Sequence, residues 1–161
     1  MKVSNDTFIV QIGPNLKKAN ETARIESELE VKSYIQNLIY ALNHGAKIYF
    51  QEVRFVDEKR DEKYTNRYTM ATLFPNENPE DVLRRELLTL KPEDYIRTVK
   101  DLRFPKRSEM REFGKVYNAQ DEVYIKIRVE LLGLFGEATT FVMSFHFAER
   151  PFSQEIFPYK Q

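Results

Sequence analysis

Two segments in the last third of the chain alternate between apolar and polar residues. They are Val123–Val129 and Phe141–Phe147, and a turn that contains glycine separates them. Because successive side chains of a strand lie on opposite faces, this alternation predicts a β-hairpin with one apolar face. The apolar face is expected to contain Val123, Ile125, Ile127, Val129, Phe141, Met143, Phe145 and Phe147. The opposite face is expected to contain Tyr124, Lys126, Arg128, Ser144 and His146.

The clearest helical pattern begins after Ser27. Apolar side chains recur there three and four residues apart, which is typical of an amphipathic helix: Val31, Tyr34, Ile35, Leu38, Ile39 and Leu42. Ser27 and Glu30 have the spacing of a capping box, and Gly45 is a suitable residue to end the helix. The sequence therefore predicts a helix from this cap to Gly45.

The other elements are shorter. Asn78 and Pro79 have the residue types that begin a helix, and Pro92 is expected to start a second, short helix containing Tyr95, Ile96 and Val99. Strands are predicted at Lys47–Phe55 and Glu112–Tyr117, an edge strand or arm at Thr7–Ile12, and an irregular tail at Pro151–Gln161. Together these elements predict an α+β fold in which N-terminal helices pack on an antiparallel sheet.

Charge is balanced overall but not along the chain. The 161 residues include 25 basic and 25 acidic ones, yet Tyr95–Arg128 contains nine Lys or Arg and only five acids. This distribution favours one face for an anionic partner. The chain has no cysteine, no apolar run long enough to span a membrane and no signal-peptide pattern, so a cytoplasmic location without membrane contact is expected.

The polar face of the hairpin carries groups that could cleave RNA. His146 and Tyr124 can exchange protons, and fixed cations can stabilise a phosphate in its transition state. The cations expected to converge on this face are Arg97, Arg111, Lys115, Lys126 and Arg128. The alternatives are a half-buried sheet histidine, a packing tyrosine, and cations that are solvated or paired with acids. The acidic group at Asp57–Glu62 is interpreted as a solvated loop, and no metal or cofactor is expected.

Five short motifs, taken in order, resemble the MqsR-like toxins of the RelE superfamily. They are Leu90-Lys-Pro-Glu-Asp-Tyr95, Glu112-Phe-Gly-Lys115, Glu122-Val-Tyr-Ile-Lys-Ile127, Met143-Ser-Phe-His-Phe-Ala-Glu149 and Pro151-Phe152. The likeness extends from Val31 to Phe152. It implies one toxin domain at residues 31–161, preceded by an N-terminal extension at residues 1–30.

The resemblance also implies a function. Such toxins are metal-independent endoribonucleases that cut mRNA and are held inactive by a cognate antitoxin protein. Tyr124 matches a catalytic tyrosine of the family, Arg97 and His146 stand where the characterised branch has lysine, and Arg111 stands at a glutamine position with Lys115 as a nearby alternative. The residues expected to contact the RNA backbone are Lys126, Arg128, Lys106 and Arg107. The protein by itself is not expected to bind DNA.

Two other functions fit the same sequence. One is a RelE-like module that binds RNA or a protein without catalysis, which the balanced charge and the replaced lysines favour. The other is a SecB-like holdase, since the 12 phenylalanines and nine tyrosines could form a groove for unfolded chains.

Overall fold

The computed structural model describes residues 20–132 and 137–161, which form three α-helices and a six-stranded mixed sheet. The α+β class is therefore confirmed. The helices are α1 (Glu28–Asn43), α2 (Asn66–Leu73) and α3 (Pro79–Leu87). The strands are β1 (Glu21–Arg24), β2 (Lys47–Phe50), β3 (Tyr95–Asp101), β4 (Met110–Tyr117), β5 (Asp121–Leu132) and β6 (Glu137–Phe147). The predicted strand Thr7–Ile12 and the turn between β5 and β6 lie outside the described residues.

The sheet has the strand order β1-β3-β4-β5-β6-β2. Every neighbouring pair is antiparallel except β2 and β6, which run parallel. The expectation of an antiparallel sheet is thus corrected at one edge. Strands joined by a tight hairpin must be antiparallel, whereas β2 and β6 are far apart in sequence and are free of that constraint. The strand predicted at Lys47–Phe55 is also shorter than expected and ends at Phe50.

The three helices cover one face of the sheet. Helix α1 has the predicted capping box, in which Ser27 accepts from the Glu30 backbone and Glu30 accepts from the Ser27 backbone. Its apolar stripe packs with α3 and with the inner face of the sheet. The buried residues of this core include Val31, Ile35, Leu38, Leu83, Leu87, Phe113, Val123, Ile125, Ile127 and Phe145. The opposite face of the sheet is therefore free to carry polar side chains.

An irregularity in β6 changes which residues enter the core. The register shifts next to Met143, so that Ile127 pairs with Val142 and Arg128 pairs with Phe141. Val142 is consequently the buried residue, and Phe141 lies on the outer face, where the Arg128 guanidinium stands 4.2 Å from its ring centre. The prediction that Phe141 and Met143 share the core face is wrong, because one extra residue in a strand reverses the alternation beyond it.

The segment after Pro92 is a strand and not the predicted helix. Pro92–Asp94 forms a single 3₁₀ turn, and Tyr95–Asp101 continues as β3 between β1 and β4. Tyr95, Ile96 and Val99 are residue types that favour strands as soon as neighbouring strands are available for pairing. Over so short a segment the apolar spacing does not distinguish a helix from a strand.

Residues 21–27 take part in the sheet and the core, although the prediction places them in an N-terminal extension. Strand β1 pairs with β3 along its whole length. Glu26 is buried, with 5% of its surface exposed, and Ser27 caps α1. Residues 21–27 of the predicted extension are therefore joined to the fold by backbone pairing and by a buried side chain.

The C-terminal tail packs on the outer face of β4 because Gly114 leaves room for it. A Cβ atom at Gly114 would lie 2.6 Å from the Phe152 ring and 2.9 Å from the Phe157 ring. We expect Gly114→Ala to lower the free energy of unfolding by about 1–3 kcal/mol, since overpacking displaces both rings. Urea unfolding measures this loss. The same substitution in a Phe152→Ala background should cause a smaller loss, and equal losses in both backgrounds would contradict the contact.

Candidate active site

A cleft of about 390 Å³ lies on the outer face of the sheet, on the side away from the helices. Tyr124 of β5 and His146 of β6 are paired across the two strands, and their ring centres are 5.4 Å apart. Among the described residues, the basic side chains that line the cleft are Arg54, Arg60, Arg97, Arg103, Lys126 and Arg150. The acidic ones are Glu21, Asp101, Glu149 and Glu155. The sequence thus correctly placed His146 and Tyr124 beside each other, with basic groups around them.

His146 is held as a neutral imidazole. Its side chain is almost fully buried, and its Nδ1 lies 2.9 Å from the Phe147 carbonyl oxygen. Since a carbonyl can only accept, Nδ1 carries the proton and Nε2 keeps its lone pair. Burial lowers the pKa of His146 to about 4; the bond to Phe147 opposes the shift, and the charge of Arg60 adds to it. At neutral pH, His146 is therefore a proton acceptor.

Tyr124 is held in its protonated form. Burial raises the pKa of the Tyr124 phenol well above its usual value, and the nearby Glu112 carboxylate raises it further. Glu112 of β4 is fully buried beneath the cleft, and its Oε2 has no hydrogen-bond partner within the described part of the chain. A phenol in this position stays protonated against water at neutral pH. It can donate a hydrogen bond, or give its proton to a strongly basic oxygen.

Two of the predicted cations reach the cleft but already have acidic partners. Arg97 of β3 donates to Glu112 at 2.5 Å and to Glu155 of the tail at 2.7 Å. Burial opposes the charge of Arg97, yet these two carboxylates raise its pKa. Lys126 of β5 lies 3.2 Å from Glu21 of β1. Both cations are therefore largely neutralised in this structure.

The sequence analysis missed Arg54 and Arg60, which line the cleft next to the histidine. Arg54 donates to Ser144 Oγ at 3.3 Å and forms no ion pair with the carboxylates of residues 20–132 and 137–161. Burial and the neighbouring Arg60 lower the pKa of Arg54. Arg60 lies 3.5 Å from Asp57 and 3.7 Å from Glu149. Nothing local in the sequence marks these arginines, because the parallel pairing of β2 with β6 places their loop there.

Arg111 and Lys115 do not converge on this face. Arg111 pairs in register with Ile127, and Lys115 pairs with Val123, so both lie on the face that the helices cover. Arg111 binds the buried Glu26 at 2.8 Å, and its guanidinium stands 4.2 Å from the Tyr34 ring centre. Lys115 lies 3.3 Å from Asp94. The expectation of convergence is corrected for both, because strand alternation fixes the face of each residue.

The three remaining predicted RNA contacts are not among the described residues that line the cleft. Arg128 is buried on the outer face, over the Phe141 ring and 3.3 Å from Glu130. Lys106 and Arg107 are exposed in the loop between β3 and β4. Arg103 of the same loop lines the cleft. The loop therefore reaches the cleft through Arg103.

The buried neutral histidine predicts a pH-dependent stability. The unfolded chain binds a proton near pH 6.5 and the folded chain only near pH 4, so stability falls as pH decreases between these values. From pH 6.5 to pH 5 the loss should be about 1.5 kcal/mol, less than the full slope of roughly 1.36 kcal/mol per pH unit because the unfolded imidazole is only half protonated at pH 6.5. Urea unfolding at graded pH measures it.

The control for this prediction is a pair of variants. His146→Asn keeps a donor for the Phe147 carbonyl and removes the titrating ring, so the decline between pH 6.5 and 5 should disappear. His44→Gln removes the other histidine, which is exposed at the end of α1, and should retain the decline. A decline that persists in His146→Asn would contradict the burial of a neutral imidazole.

The fold and the cleft define an α+β protein in which a histidine and a tyrosine, His146 and Tyr124, lie among arginines on the sheet face that the helices leave uncovered. No family model, no curated protein and no solved structure matches this chain. In the described part of the chain, no helix has the length and apolar character needed to cross a membrane. Nor do three His, Asp or Glu side chains cluster in that part as a metal site would require.

Proposed function

We propose that this protein is a metal-independent endoribonuclease, the toxin of a toxin–antitoxin pair of the MqsR-like and RelE-like kind, which cuts mRNA. One observation carries the proposal: a neutral histidine and a protonated tyrosine face each other in a cleft with arginines on its wall. Cleavage by the RNA's own 2′-hydroxyl requires a proton acceptor, a proton donor and fixed positive charge. The cleft contains all three.

His146 acts as the base in this proposal. Its Nε2 takes the proton of the 2′-hydroxyl as that oxygen forms a bond to phosphorus. Because Nδ1 is fixed on the Phe147 carbonyl, the ring is already oriented and in the required tautomer. The low pKa of His146 keeps the base unprotonated at neutral pH.

Tyr124 acts as the acid. As the bond between phosphorus and the 5′-oxygen breaks, the phenol gives its proton to that oxygen. The products are a 2′,3′-cyclic phosphate and a 5′-hydroxyl, and a water later returns the protons. Arg54 and Arg60 stabilise the charge on the phosphate oxygens, since arginine holds its charge and presents several donors in a plane.

The experiment compares RNA with an otherwise identical strand that lacks 2′-hydroxyl groups. Wild-type protein should cut the first in the presence of a chelator, leave cyclic phosphate ends and leave the second intact. The value of kcat/KM should rise near pH 4 and stay level from about pH 5 to pH 8, because the free enzyme's base titrates near pH 4. Equal cutting of both strands would exclude attack by the 2′-hydroxyl.

A second function follows from the paired cations. Glu155 pairs with Arg97 and Glu21 pairs with Lys126, so these carboxylates compete with an RNA phosphate for the two cations. This competition favours a module that binds RNA or a protein without turnover. Growth on expression separates the two functions. A nuclease should arrest growth and lose this effect in Arg54→Gln, whereas Lys32→Gln, an exposed cation on α1, should still arrest it. Arrest by both variants to the wild-type degree would favour the module.

A further inference from the structure

The loop between β3 and β4 joins the cleft to an exposed aromatic ring. Arg103 lines the cleft, and the next residue, Phe104, leaves 41% of its surface exposed. The Arg107 guanidinium covers one side of the Phe104 ring at 3.7 Å from its centre, and that of Arg103 lies at 5.7 Å. An aromatic ring flanked by guanidinium groups is a surface on which a nucleic-acid base can stack.

The loop is held in shape by its own contacts. The Lys100 ammonium donates to the Pro105 carbonyl at 3.0 Å and also to the Arg107 carbonyl. At the far end, Ser108 donates through its backbone to Glu130 and through its hydroxyl to the Val129 carbonyl. The ring is therefore presented by a fixed loop, and binding needs little further ordering of the backbone.

The charge of the loop suits a phosphate backbone. Lys106 and Arg107 are exposed and form no ion pair with any carboxylate of the described residues. Arg103 is 61% exposed but is paired with Asp101, to which it donates at 2.9 and 3.1 Å, so Lys106 and Arg107 are the unpaired cations of the loop among those residues. A strand leaving the cleft along Arg103 would place its phosphates beside these cations and one base against Phe104.

We propose that the loop Leu102–Arg107 binds single-stranded RNA next to the cleavage site, with Phe104 stacking on a base. This proposal rests on the proposed function for the identity of the strand in the cleft. It adds that the substrate is single-stranded and longer than a dinucleotide, because the bases of a duplex are stacked on one another and cannot reach the ring.

Binding tests the proposal without relying on cleavage. The probe is a fluorescent, fully 2′-O-methylated RNA of about eight nucleotides, which has no 2′-hydroxyl to attack. Phe104→Ala should weaken its binding roughly tenfold, in the range reported for loss of one base-stacking ring. Leu29→Ala is the control, since Leu29 is an exposed apolar residue of α1, on the other side of the sheet, and it should bind as wild type.

The cations give an independent readout. The plot of log affinity against log salt has a negative slope. The Lys106→Gln/Arg107→Gln variant should reduce the magnitude of this slope by about 1.4 for a single strand, while Phe104→Ala should leave it unchanged. A duplex of the same sequence should bind more weakly than the single strand, and equally to wild type and Phe104→Ala.

The outcomes separate this proposal from the proposed function. If the wild-type protein cleaves RNA but Phe104→Ala does not weaken RNA binding, the stacking site is overturned and the proposed function is not. Binding that depends on Phe104 without any cleavage supports the site and overturns the nuclease. Absence of RNA binding by wild type, or binding of an acidic protein through the same residues in its place, overturns the loop's assignment to RNA.

Discussion

His146→Asn is expected to lower the rate of RNA cleavage by about 10²–10⁴-fold, the usual contribution of a positioned general base. The asparagine amide can still donate to the Phe147 carbonyl, so the local hydrogen bond is kept while Nε2 is lost. The loss should appear in kcat, because the ring acts on the proton of the 2′-hydroxyl and contributes little to holding the strand. Single-turnover cleavage with saturating protein measures it.

Two controls distinguish a role in chemistry from a role in packing. The variant should bind the 2′-O-methylated RNA as wild type does, and its free energy of unfolding at pH 7 should change little. His44→Gln should cleave at the wild-type rate, since that ring stacks on Tyr40 at the end of α1, on the other side of the sheet. A rate within about twofold of wild type in His146→Asn would remove the histidine from the mechanism.

Glu26→Ala is expected to lower the free energy of unfolding by about 3–5 kcal/mol, the usual effect of removing one partner of a buried ion pair. The Glu26 carboxylate accepts from Arg111 at 2.8 Å and from Thr98 at 2.5 Å. Its backbone accepts from the Tyr159 hydroxyl and donates to the Tyr95 hydroxyl. Burial raises the pKa of Glu26, but the bonds from Arg111 and Thr98 outweigh it, and the pKa lies below its usual value.

Urea unfolding tests this prediction together with the role of Arg111. Glu28→Ala, which removes an exposed partner of Lys32, should cost less than about 1 kcal/mol. The double variant Glu26→Leu/Arg111→Met should recover much of the stability, because no unpaired charge is left in the core. If Glu26→Ala unfolds like Glu28→Ala, the pair of Glu26 with Arg111 does not stabilise the fold.

Most of the elements follow from local rules. The capping box at Ser27 and the stripe from Val31 to Leu42 predicted α1, and Asn78 with Pro79 predicted the start of α3. The alternation of Val123–Val129 placed Tyr124 on the outer face. These features depend on interactions between residues a few positions apart, which the sequence displays directly.

The errors concern features that depend on distant segments. The register shift at Met143 reverses the face of Phe141 through its pairing with β5. The segment Tyr95–Asp101 became a strand because β1 and β4 lie on either side of it. In both cases the local sequence is compatible with two structures, and the neighbouring strand selects one.

The candidate site divides in the same way. The sequence by itself determined that His146 and Tyr124 share a face, because each alternates with apolar neighbours that turn to the core, Phe145 and Phe147 for His146 and Val123 and Ile125 for Tyr124. Only the tertiary structure decided which cations join them. The parallel pairing of β2 with β6 brings Arg54 to the histidine, while the register of β4 turns Arg111 and Lys115 to the helices. Such pairings join residues far apart in the chain, and no local pattern encodes them.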